Sequence, residues 1–189
     1  MATYDETRTS PGLQFDESWT EHPVGSRHSP RAGRVARQLV ELARLTRGFE
    51  VADMHDIEIV AFLRTVLRDY PGVAMSSPVD ALWQRTDSRR LATVLFAVLD
   101  NAMLHGGSPV QVRLSAVAIV ITDHGPGFPA RVLADGAKPF SPGSRVTGRG
   151  VGLGLAIADA QTRLLGGTLR LANTRTAGAR VTIDFESRA

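Results

Sequence analysis

The amino-acid sequence predicts an α+β sandwich, and three observations carry that prediction. Leu91, Val94, Leu95, Val98, Leu99 and Ala102 recur at i, i+3, i+4, i+7, i+8 and i+11, one apolar stripe along a helix. Ala116–Thr122 (AVAIVIT) is a continuous apolar run that fits a central strand. Strand and helix patterns do not alternate strictly along the chain, which argues against a doubly wound sheet.

In chain order, residues 1–30 are polar, rich in Ser, Thr, Pro and Gly, and without periodicity, so they are expected to form a disordered arm. From Arg31 the pattern turns helical: Val35, Leu39, Leu42 and Leu45 share a face that ends before Gly48. A second helix is expected with Asp56 as its cap and Ile59, Val60, Leu63, Val66 and Leu67 as its stripe, stopped by Tyr70-Pro71-Gly72. These stretches make 31–71 a helical segment, and the remainder, 72–187, the main domain. Val73–Met75 and Ala81–Arg85 read as short strands, and Thr86-Asp87-Ser88 as the start of the long helix that Gly106-Gly107 ends. Val110, Val112 and Leu114 alternate as a strand ahead of the apolar run. A Gly/Pro-rich stretch from about Gly125 to Gly154 leads to a helix over Leu153–Leu165, and the C-terminal residues read as a hairpin.

Composition narrows the function. The 189 residues suit one domain with a short appendage. Lys+Arg exceed Asp+Glu by 22 − 19 = 3, but the arginines are scattered and Lys138 is the only lysine, so no nucleic-acid surface is expected. The absence of cysteine excludes a disulfide framework, a thiolate zinc site and thiol catalysis. No run approaches the roughly 18 apolar residues of a membrane span. The N-terminus lacks the basic start and apolar stretch of a secretion signal, so a cytoplasmic protein without membrane insertion is expected.

Three segments can carry chemistry, and each alone also has a plainer reading. Ala97, Asn101 and His105 share one face of the long helix. Asn101 reads either as a polar edge beside the core stripe or as an amide oxygen offered to Mg²⁺ on a phosphate chain. Asp123-His124-Gly125-Pro126-Gly127-Phe128 is either a turn or a strand-end carboxylate that accepts a hydrogen bond from an exocyclic amine, with glycines leaving room for a flat base. Gly148-Arg149-Gly150-Val151-Gly152-Leu153-Gly154-Leu155 suits a phosphate cradle of backbone N–H groups before a helix. It matches neither the P-loop, because no lysine follows the glycines, nor the Rossmann fingerprint.

The ordered combination is more telling than its parts. Asn101 on its helix, then DHGPG at 123–127, then GRGVGLGLAIA at 148–158 resembles the N box, G1 box and G2 box of the Bergerat-fold ATPase superfamily. That superfamily includes gyrase, a heat-shock chaperone, sensor histidine kinases and mismatch-repair ATPases. Lys138-Pro139-Phe140 resembles the kinase F box, and TDSRRLATVLFAVLDNAMLHGG (86–107) the kinase form of the N box. LVELARLTRG (39–48) is similar to the end of a dimerisation helix, and DIEIVAFLRTVLRDYP (56–71) to the lead-in of a catalytic domain.

The resemblance implies a two-layer α/β sandwich of the Bergerat type, with a mixed sheet and helices on one face. It implies the ATP-binding catalytic domain of a two-component histidine kinase, with ATP and Mg²⁺ as cofactors. Asn101 then ligates Mg²⁺ and serves catalysis; Asp123 takes adenine, beside Gly125 and Gly127; Gly150, Gly152, Gly154 and Leu155 form the phosphate side. His105, Lys138 and Arg149 join the nucleotide contacts, and residues from about 129 to 149 the lid. Ala97 stands where kinases carry a polar residue and hydrolysing relatives a water-activating Glu, so gyrase-like hydrolysis is disfavoured. None of His22, His28, His55, His105 and His124 lies in an H-box context. The resemblance therefore implies a split kinase, monomeric alone, that phosphorylates a histidine on a separate dimerisation protein and through it a response regulator. An anti-sigma-factor-type serine kinase and a nucleotide-gated binding module without transferase activity remain as alternatives.

Overall fold

The computed structural model describes Val40, residues 51–138 and residues 152–185. The arm expected over 1–30 and the first helical stretch, Val40 apart, lie outside the described residues.

The elements run β1 (His55–Glu58), α1 (Ile59–Val66), β2 (Ala74–Ser76), β3 (Trp83–Thr86), α2 (Ser88–His105), β4 (Gln111–Leu114), β5 (Ala118–Thr122), α3 (Ala130–Asp135), α4 (Gly154–Leu164), β6 (Thr168–Asn173) and β7 (Ala179–Asp184). Five strands form one mixed sheet in the order β2-β4-β5-β7-β6, and β1 and β3 form a separate antiparallel pair. Only the β2–β4 pairing is parallel. Each strand hides one face. Val112 and Leu114 of β4, and Ala179, Val181 and Ile183 of β7, are buried, while Gln111, Arg113 and Arg180 between them are exposed. The buried face meets α1, α2 and α4, whose apolar stripes complete one core. This is the two-layer α+β sandwich with helices on one face.

β5 is the middle strand, as its apolar run predicts. Ile119 and Ile121 point into the core, whereas Val120 is only half-buried, so the run does not mark two covered faces. Asp87 caps α2 by accepting from the Arg90 N–H at 3.1 Å. The cap expected at Asp56 falls elsewhere. Residues 55–58 are extended against β3, and α1 begins at Ile59 with Glu58 as its cap. The Glu58 carboxylate accepts from Val60 N–H at 2.9 Å and Ala61 N–H at 2.6 Å. Ile59, Val60, Phe62, Leu63 and Val66 of α1 are buried in the common core. The Gly/Pro-rich stretch also holds a short helix, α3, that its composition hides.

Candidate functional site

Strand directions bring the sequence motifs to one end of the sandwich. A short loop joins α2 to β4, so the two run in opposite senses, and β5, antiparallel to β4, runs with α2. β7 opposes β5 and β6 opposes β7, so β6 also runs with α2. α4 turns back into β6 over residues 165–167 and is therefore antiparallel to α2. The C-terminal end of α2, the C-terminal end of β5 and the N-terminal end of α4 thus share one end of the molecule. One contact confirms the helix register: Arg90 near the start of α2 donates from Nη1 to Gln161 Oε1 near the end of α4, at 2.7 Å. Asn101 lies 11 residues further along α2, about three turns, and so on the same face as Arg90. Gly154 lies seven residues before Gln161, about two turns, and so on the same face of α4. Asn101 therefore lies on the side of α2 turned toward α4, about one turn beyond the level of Gly154.

Asp123 follows β5 and is 4% exposed. Its Oδ1 accepts from the Gly125 N–H at 2.8 Å and the Ala179 N–H at 3.1 Å. Its backbone N–H donates to the Ala179 carbonyl at 3.0 Å. Oδ2 has no hydrogen-bond partner among the described residues and remains available to a ligand. The carboxylate is thus fixed in direction by one oxygen and leaves the other to accept.

Bare backbone surrounds this turn. A Cβ at Gly106, just past α2, would collide with the Asp123 side chain, and one at Gly125 with the backbone of Gly106 and Gly107. A Cβ at Gly178 would strike the Asp123 carbonyl, and Gly178 has φ +117°. Gly127 has φ +79° and lies against the side chain of Asn173. That side chain clasps the next residue: Asn173 Oδ1 accepts from the Phe128 N–H at 2.7 Å and Nδ2 donates to the Phe128 carbonyl at 3.0 Å. His124 serves the scaffold. Its N–H donates to the Gly107 carbonyl at 2.8 Å, and its Nδ1 lies 2.8 Å from the Pro109 carbonyl.

The remaining expected residues divide. Asn101 and His105, the last residue of α2, are half-buried on one helix face with Ala97. Asp100 turns aside and accepts from the Tyr70 hydroxyl at 3.0 Å. Gly152 has φ +73°, Gly154 opens α4, and Leu155 packs on the core. Arg149 and Gly150 lie outside the described residues. Lys138 is exposed and pairs with Asp135 at 3.2 Å. It lines a cleft of about 330 Å³ together with Asp159 and Arg163, and neither Asn101 nor Asp123 contributes to that wall. Asp159 and Arg163 stand two residues either side of Gln161, about 200° around α4, so the cleft lies on the flank away from α2. The structure thus gathers Asn101, Asp123, Gly125, Gly127, Gly152 and Gly154 at one end, and gives Lys138 a different neighbourhood. Sequence reasoning missed Gly106, Asn173 and Gly178. Only the turn-forming character of Gly106-Gly107 and Gly178 hinted at them.

A helix-backed mixed sheet with a buried strand-end carboxylate, a facing helix amide and a glycine-led helix defines the class: an ATP-binding domain of the α+β ATPase type. The family model described as histidine kinase-, DNA gyrase B- and HSP90-like ATPase matches residues 86–189, and the chain belongs to that family. Within it, the chain is homologous in its catalytic ATPase domain to sensor histidine kinases. It is 42% identical over 154 residues to the sensor protein CseC of Streptomyces coelicolor, covering 80% of this chain and 30% of that protein. It is 39% identical over 109 residues to the sensor histidine kinase component HK1 of Mycobacterium tuberculosis, covering 55% of this chain and 65% of that one. The ATP-binding domain of PrrB from Mycobacterium tuberculosis superposes with a TM-score of 0.57 at 25% identity, over 72% of this chain and 99% of that one. The chain spans less than two thirds of either curated relative. Among the described residues, no helix is long and apolar enough to cross a membrane.

Proposed function

We propose that the chain binds Mg-ATP at this end of the sandwich and transfers the γ-phosphoryl group to a histidine on a separate dimerisation protein, from which it passes to a response regulator. The observation that carries the reading is the convergence of Asp123, Asn101 and the start of α4. The outward Oδ2 of Asp123 accepts a hydrogen bond from the adenine amine, while the two N–H groups on Oδ1 hold the carboxylate to that direction. Gly125 and Gly127 leave the base room beside it. The N–H groups at the start of α4 face the phosphates, where the helix field favours anions.

The Asn101 amide oxygen is a hard donor on the face that meets α4, which fits Mg²⁺. A Mg²⁺ held at Asn101 would share its oxygen ligands with the nucleotide phosphates and water, as this ion usually does. When bound, the ion neutralises phosphate charge that builds toward the transition state. Ala97 offers no base beside Asn101, and Asp100 turns aside to Tyr70, so neither position supplies the water-activating carboxylate of the hydrolysing branches. An acceptor imidazole brings its own lone pair and needs no strong base from this chain.

The test mixes the protein with γ-labelled ATP and candidate histidine-bearing partners. Acid-labile, base-stable label on a partner histidine is the expected result. Label that never leaves ATP across such partners, with nucleotide binding intact, supports instead a nucleotide-gated binding module, and phosphoserine on an antagonist protein supports a serine kinase.

A further inference from the structure

Arg90 is 2% exposed and sits where α2 meets α4, beside the buried apolar stripe of α2. Its Nε lies 3.3 Å from Asp87 Oδ2, itself in a residue 3% exposed, and its Nη1 donates to Gln161, 1% exposed, at 2.7 Å. Burying such a group costs desolvation, and an apolar pair of similar volume would join the helices at least as well. What the polar contact adds is register. Apolar stripes tolerate sliding along the helix axis, whereas a guanidinium hydrogen-bonded to one amide fixes a single axial offset.

That offset bears on the nucleotide site. α2 and α4 are antiparallel, with Arg90 and Gln161 joined at one end and Asn101, about one turn beyond the level of Gly154, at the other. A slip at the first end is carried along two rigid helices to the second, about 16 Å away along α2. We propose that Arg90, through Gln161, is a positioning residue that sets the glycine-led start of α4 against Asn101. The proposal rests on the nucleotide reading above. It also reaches the chain entering the domain: Asp87 Oδ2 accepts the backbone N–H of Asp53 at 3.0 Å, so the segment before β1 shares the carboxylate that holds Arg90.

The test compares two ligands on the full chain. Adenosine engages the Asp123 end alone, whereas Mg-ATP also needs the α4–Asn101 alignment. Gln161→Leu keeps the Arg90–Asp87 pair but removes the register bond. It is expected to weaken Mg-ATP binding about tenfold by calorimetry while adenosine binding, followed by titration NMR, changes less than about twofold. Arg90→Lys, which keeps the charge but lacks the planar fork, is expected to show the same split. Gln161→Glu, which keeps an acceptor for Arg90, is expected to restore the wild-type ratio. Wild-type protein that binds Mg-ATP, with variants whose ratio of the two affinities stays unchanged whatever their melting temperature, overturns the positioning role alone. Wild-type protein that binds no adenine nucleotide overturns the nucleotide reading, and the proposal with it.

Discussion

Asp123 divides its work between its two oxygens, and on the proposed reading that division separates folding from binding. Oδ1 accepts from two backbone donors, so a residue without an acceptor there leaves the part-buried Gly125 and the buried Ala179 N–H groups without that partner. Asparagine keeps that acceptor and places an NH₂ where Oδ2 stands. Asp123→Asn is therefore expected to fold with a melting temperature near wild type, yet bind ATP at least about tenfold more weakly, because donor meets donor at the adenine amine. Calorimetry with unchanged affinity overturns the assignment of Asp123. Gly178 gives the complementary case. At φ +117°, with the Asp123 carbonyl against it, it has no room for a side chain. Gly178→Ala is expected to cost about 1–3 kcal/mol in urea unfolding and to lower ATP affinity by displacing the carboxylate. Asp123 was legible from its place after an apolar run. Gly178 was not, because its constraint comes from a residue 55 positions earlier, through a strand pairing that local pattern does not reveal.

At the scale of elements, the strongest periodicities were the most legible. α2 begins at the Asp87 cap and ends at Gly106, as its stripe and flanking residues predict, and the C-terminal hairpin pairs as β6 and β7. β1 was not legible. HDIE has no alternating apolar pattern, and its pairing to β3 depends on chain returning from 83–86. The true cap of α1 makes a pH prediction. Burial raises the Glu58 carboxyl's affinity for its proton, but hydrogen bonds from the N–H groups of Leu82, Ala61 and Val60, with Arg64 nearby, outweigh it and hold the pKa below its ordinary 4.5. A carboxyl whose folded pKa is depressed stabilises fully above its unfolded value and loses that contribution as pH falls through the folded one. Glu58→Gln is thus expected to be less stable than wild type at pH 7 and to converge with it as pH drops below 4.5, followed by urea unfolding across that range. Curves that stay parallel through the acid range show that Glu58 does not carry the effect.

For the whole molecule, the sandwich is a way of bringing three distant pieces of chain to one end. The motifs announced the pieces but not their meeting, which depends on the antiparallel run of α2 and α4 and on the β5–β7 register. The extent of the unit is a further whole-molecule property. A reading from sequence alone starts the main domain at residue 72 and leaves 31–71 as a separate helical segment. Yet α1 places Ile59, Val60, Phe62, Leu63 and Val66 in the same core as Leu91, Leu95 and Ile119, and Glu58 accepts the Leu82 N–H at 2.9 Å. Exposing each of those five side chains costs roughly 1.5–3 kcal/mol. Together that is about 7.5–15 kcal/mol, comparable to the roughly 5–15 kcal/mol that typically holds a domain folded. A fragment of residues 72–189 is therefore expected to lack a cooperative thermal transition and to bind no ATP. A fragment of residues 51–189 is expected to unfold in one transition and to keep the nucleotide affinity of the full chain. A 72–189 fragment that melts cooperatively and binds ATP would show that α1 is an appendage, with the core closing without it.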